Sequence, residues 1–114
     1  MKKEFHWTVR VIIEKEGNLY IAHCLEFDLV TQAKTLKGAK EMIIDAIYEY
    51  LSYAVKNNLQ EQVFRPAPSE YWAKIPRASK EETISPRSKP IESPRIKIFP
   101  KVTFDNIPSY ATVS

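Results

Sequence analysis

Glycine is nearly missing from this chain. Only Gly17 and Gly38 occur in 114 residues, and two isolated glycines build no phosphate-cradling loop. Cysteine is scarcer still. Cys24 stands alone, which excludes an internal disulfide framework and suits a reducing cytoplasm. Histidine is limited to His6 and His23. Together with Cys24 they fall short of a metal ligand set, and His23 and Cys24 point to opposite faces if they share a strand. No apolar run approaches the roughly 18 residues of a membrane span, and the first residues lack the apolar core of a secretion signal. No internal repeat is visible. Proline is absent from the first half and crowded into the second, at 66, 68, 76, 86, 90, 94, 100 and 108.

What is present is ordinary globular material for one domain, 44% hydrophobic and 27% charged. Residues 1–57 hold eight Lys/Arg against eight Asp/Glu, and residues 58–114 hold nine against six, which supplies the net +3. An excess that slight reads as solvated charge rather than as a nucleic-acid surface.

The first half carries clear periodicity. Phe5, Trp7, Val9, Val11 and Ile13 alternate with His6, Thr8 and Arg10, and only Ile12 breaks the pattern. Period two predicts a half-buried strand. Gly17-Asn18 tolerates positive φ and predicts a hairpin turn. A second strand then covers 19–25, with Leu19, Ile21 and His23 on one face and Tyr20, Ala22 and Cys24 on the other. After Glu26-Phe27-Asp28 a short third strand covers 29–32. Leu36, Ala39, Ile43, Ala46, Ile47, Tyr50, Leu51 and Ala54 form one stripe of a helix over 35–57. Thr35 is placed to cap it and Asn57-Asn58 to stop it. Such a helix outruns a three-stranded sheet, so its end near Tyr50, Tyr53 and Ala54 needs another cover, from the tail or a second subunit. Ile44 and Tyr48 lie off the stripe.

The second half differs in kind. Residues 70–75 read as a short helical turn or hydrophobic anchor, and the polar, proline-punctuated stretch 79–94 as a loop or extended arm. Ile96, Ile98, Pro100, Val102 and Phe104 alternate with Arg95, Lys97, Lys101 and Thr103, which predicts a strand over 95–104. Pro100 cannot donate to a ladder, so the strand should lie at an edge or hold a bulge. No proline-free window in the tail supports a helix-turn-helix or a ribbon-helix-helix, so direct DNA binding is not expected.

Glu14 and Glu16 fall in the hairpin turn and Glu26 and Asp28 at a strand break, so they do not form the convergent carboxylates of two-metal nuclease chemistry. Cys24 lacks a base and reads as a small buried hydrophobe. No catalytic residue, cofactor site or metal site is assigned.

Several of these features together resemble the HicB-like antitoxin family. They are the opening alternating strand, the hairpin return Glu16-Gly17-Asn18-Leu19-Tyr20-Ile21-Ala22, the step Cys24-Leu25-Glu26-Phe27-Asp28, Thr31-Gln32 with Thr35 opening a helix, and the helix text Ala46-Ile47-Tyr48-Glu49-Tyr50-Leu51. The resemblance spans residues 5–59. Ala33 stands where the family usually has glycine, and Gly38 where it has an acidic residue. The resemblance implies a β-β-β-α-β domain like a partial ribonuclease H fold without its active site. It implies binding and blocking of a small RNA-cleaving toxin, HicA, and assembly into dimers or larger forms. Many members add a C-terminal DNA-binding domain, for which this tail has no room.

The expectations are therefore an α+β fold with a small antiparallel sheet, one long helix on one face and a proline-rich C-terminal arm. Residues 1–62 would be the sheet-and-helix domain, and 63–114 an extension that is not an independent domain. The function would be that of a cytoplasmic antitoxin-type protein neutralising a HicA-like toxin through Glu26, Phe27 and Asp28. The alternative is an orphan oligomerising module with neither toxin nor enzymatic activity. A homodimer or higher oligomer would use Tyr50, Tyr53, Ile96, Ile98, Val102 and Phe104, with the tail strand closing on its own sheet or exchanged between chains.

Overall fold

Alternation along the first strand is what decides the architecture. In a computed structural model that describes residues 2–78 and 80–108, strand β1 runs Lys3–Glu16, turns at Gly17 (φ 58°) and returns as β2, Leu19–Cys24. Strand β3, Leu29–Ala33, pairs antiparallel with β2. Helix α1 then spans Leu36–Lys56. After a 3-10 turn at Gln60–Gln62 come a one-turn helix α2, Ser69–Trp72, and a second 3-10 turn, Ile75–Arg77. Strands β4, Lys80–Ile84, β5, Ile91–Glu92, and β6, Ile96–Asn106, complete the chain.

The sheet order is β3-β2-β1-β6-β4, with β5 also on β6. The fold is mixed α+β with a curled six-stranded sheet. The expected small antiparallel sheet therefore needs correcting in two respects. β6 lies parallel to β1 along its whole length, from Lys3 opposite Ile96 to Ile13 opposite Asn106. The stretch expected to be a loop or extended arm contributes β4 and β5 to the same sheet; Ser79 lies outside the described residues. A helix between two strands lets the second return in the same direction as the first, whereas a hairpin cannot.

Pro100 fits this interior strand for a local reason. Lys3 N–H donates to Arg95 O, so odd-numbered residues of β6 face β1 and even-numbered ones face away. The nitrogen of Pro100 thus points away from β1. On that side β5 pairs with Lys97 and Ile98 and β4 with Val102–Asn106. The proline occupies the gap between them, where no neighbour needs a donor.

One face of the sheet packs on α1. Val9, Val11, Ile13, Ala22 and Cys24 meet Ala39, Ile43, Ile47, Leu51, Ala54 and Val55, and Ile98, Val102 and Phe104 join from β6. Phe5, Trp7 and Tyr20 pack at its border. The helix matches its expected span at both ends. Thr35 Oγ1 accepts from Gly38 N–H at 2.9 Å, and Asn58 takes the left-handed conformation (φ 56°) that ends the helix. Gly38 has a use here. A Cβ at that position would stand 2.9 Å from Thr35 Oγ1 and 3.2 Å from Ala33 Cβ, so the bare backbone lets the cap close. The turn into the helix needs no glycine at 33, because the non-glycine residues with positive φ are Asp28 and Asn58. Thr35→Ala is expected to cost about 1 kcal/mol in denaturant unfolding by freeing that donor; an unchanged midpoint would show that the cap does not hold.

The other face is covered at one end only. Ile12, the residue that broke the alternation, is fully buried with Leu25, Ala67 and Ile107 beneath Tyr71, Trp72, Ile75 and Ala78. Residues 70–75 are thus both the helical turn and the anchor expected of them. Trp72 Nε1 donates to Ala67 O at 3.1 Å, and Lys74 Nζ reaches Glu14 Oε1 at 2.7 Å. Tyr48, off the expected stripe, is buried all the same, because Arg87 from the tail lies over its ring at 4.3 Å. Among the described residues no helix is long and apolar enough to cross a membrane.

Candidate partner-binding site

The step between β2 and β3 is built from residues whose backbone bonds leave the sheet. Leu25 N–H donates to Arg10 O at 2.9 Å, and Leu25 O accepts from Ala67 N–H at 2.8 Å. Glu26 O accepts from Arg65 N–H at 2.8 Å. The segment 65–67 thereby runs alongside 25–26 and holds the step in place. Glu26 turns its carboxylate back onto the chain, where Oε1 accepts from Arg10 N–H at 2.7 Å.

The three expected contact residues separate in role. Phe27 is buried, its ring 5.1 Å from Tyr50 and 5.6 Å from Phe64. It plugs the core under the turn and offers no surface. Glu26 is half-buried. Asp28, at φ 53°, projects outward with its side chain 47% exposed and binds His23 Nε2 at 2.6 Å. His23 is itself buried and meets Tyr71 edge-on, centroids 4.6 Å apart. Asp28 is therefore the member of the trio best placed to meet a partner.

Electrostatics reinforce this division. Burial holds the Glu26 carboxyl above the ordinary carboxylate value, against the hydrogen bonds it accepts and the nearby Arg10 charge. A raised pKa means the folded state keeps the proton more readily. Glu26 thus favours folding in acid, and that contribution fades as pH climbs from 4.5 through the raised value. Glu26→Gln keeps an acceptor for Arg10 N–H, so its melting temperature is expected to equal or exceed the parent's at neutral pH, with the gap closing below 4.5. A variant that melts lower at neutral pH would contradict this. Burial, then the Glu26 charge, pushes the Cys24 thiol up to about 12, so it remains an inert thiol. Arg10 also reaches the buried carboxylate of Asp105 at 3.5 Å.

The expected oligomer residues scatter. Ile96, Ile98, Val102 and Phe104 are buried within the same chain. Tyr50 is half-buried and donates to Val63 O at 2.7 Å, while Tyr53 is 64% exposed. Val63 and Ile91 cover the far part of α1 from within the chain, where Val55 is buried.

Two features were not anticipated. Trp7 meets Phe64 edge-on at 5.1 Å, and with Phe5 they line an open groove of about 840 Å³ rimmed by Lys3 and Arg95. The Val63-Phe64 pair just before Pro66 was the available signal. The Arg10–Asp105 contact joins residues far apart in sequence and left no local trace. Among the described residues no group of three His, Cys, Asp or Glu could hold a metal ion. Compared with family models, curated proteins and solved structures, the chain matches none.

Proposed function

We propose that this chain is a HicB-like interaction protein that binds and neutralises a small, basic, RNA-cleaving HicA-like toxin, and that it performs no chemistry itself. The observation that carries this reading is the path of the chain. Three antiparallel strands, a helix and, after β4 and β5, a strand returning beside the first are compatible with the β-β-β-α-β order that the resemblance implies. The residues that carry the resemblance lie at the β1–β2 hairpin (Glu16–Ala22), at the step between β2 and β3 (Cys24–Asp28) and at the helix cap (Thr35). Asp28 supplies an exposed acidic contact for a basic partner, and electrostatic pairing of that kind speeds encounter and fixes orientation.

The reading expects a small basic reading frame beside this chain's own, and the test is co-expression of the two. The expected result is one copurifying complex in which RNA cleavage by the partner is suppressed, and weaker suppression by Asp28→Asn, which keeps the turn and removes the charge. The chain alone should leave RNA intact with magnesium. A partner that cleaves RNA equally well with and without this chain would overturn the reading. The second reading, an oligomerising module without a toxin, is favoured by the exposed side chains of Val30, Met42, Tyr53 and Phe64.

A further inference from the structure

Strand β1 is longer than its neighbour β2. Pairing with β2 covers only residues 11–16, whereas β6 pairs with all of 3–13. Residues 3–9 therefore have β6 on one side and, among the described residues, no strand on the other. Bonds at the two ends fix which backbone groups face that side. Lys3 N–H donates to Arg95 O, so the odd residues face β6. Arg10 faces the other way, with its O accepting from Leu25 N–H and its N–H donating to Glu26. By alternation the N–H and C=O groups of Glu4, His6 and Thr8 point outward. All three residues are exposed. This is a free edge of seven residues, roughly 23 Å long, and such an edge is a template for another strand.

We propose that this edge pairs antiparallel with the same edge of a second copy, so that one continuous sheet crosses a two-fold dimer. The side chains argue for a second copy as occupant because the strand is complementary to itself. With Phe5 on the two-fold axis, Glu4 of each chain faces His6 of the other, and Lys3 faces Trp7. An imidazole that can donate to a facing carboxylate, and a cation facing an aromatic ring, are favourable pairs across a ladder. Phe5 meets its own copy and lengthens the aromatic row Phe5–Trp7–Phe64. The neighbouring two-fold register, with His6 on the axis, sets His6 against His6 and Glu4 against Thr8, and loses both the carboxylate–imidazole and the cation–aromatic pairs. A two-fold contact uses one patch twice and closes on itself. The dimer leaves each β6 in its own sheet and does not rest on the toxin reading.

His6→Pro tests the edge. Proline removes an N–H that faces outward, together with the imidazole stacked 4.9 Å from the Phe99 ring, and leaves the β1–β6 ladder its bonds. Sedimentation across micromolar concentrations should show the parent as a dimer and His6→Pro as a monomer, its association weaker by at least roughly tenfold, with the circular dichroism unchanged. Glu4→Lys should also dissociate the dimer, and adding His6→Glu to it should restore association, a rescue that damage to the fold would not produce. A parent that is monomeric at high micromolar concentration would overturn the proposal. So would a dimer undiminished in both single variants, which would place the contact elsewhere.

Discussion

Replacing Phe104 by alanine should remove about 3–5 kcal/mol of stability. Phe104 is 1% exposed and among the largest fully buried side chains. It stands opposite Val11 of β1 and Glu82 of β4, with the Lys40 ammonium 5.0 Å from its ring centroid. Truncation would open a cavity at the point where helix, first strand and last strand meet, and nothing nearby can collapse into it without breaking a ladder. Since a domain of this size holds only about 5–15 kcal/mol, the variant would be close to unfolding at room temperature. Urea denaturation measures this. A loss below about 1 kcal/mol would mean that the ring is not part of the core.

The second large effect concerns residues 1–62 taken alone, which are expected not to fold. Removing 63–114 strips β6 from β1 and leaves β1 paired over 11–16 only. Val9, Val11 and Ile43 lose Ile98, Val102 and Phe104, while Ile12 and Leu25 lose Ala67, Tyr71, Trp72 and Ile75. A helix on a three-stranded remnant buries too little apolar surface to offset its chain entropy. The fragment's amide spectrum should lack dispersion and its thermal melt should lack a cooperative step. A cooperative melt from residues 1–62 would make the tail an accessory rather than part of the fold.

Local signals carried the first half of the chain well. The period-two run from Phe5, the stripe from Leu36, the Thr35 cap and the stop at Asn58 all depend on residues within a turn or two of each other, and the structure places each where its chemistry asks. The rest is non-local. Ile12 read as an irregularity because its cover comes from residues 67–78. Lys80–Ile84 is too polar to signal a strand on its own; it forms one because β6 offers an edge. Pro100 argued against an interior position, and only the gap between β5 and β4 reconciles it with one. At the candidate site the sequence placed Asp28 on the surface step but could not show Phe27 turning inward, since that depends on Tyr50 and Phe64 meeting it. The free edge of β1 follows from two strands of unequal length, which becomes visible only once both are paired.

The fold, the candidate site and the free edge all depend on β6 of each chain completing that chain's own sheet. Methyl NOE spectroscopy on a refolded mixture of isotope-labelled and unlabelled protein tests this directly, through the contact between Val9 and Val102, which face each other in the parallel ladder. The structure predicts that this contact arises within single labelled chains. Its appearance only between labelled and unlabelled chains, or not at all, would contradict the closed sheet.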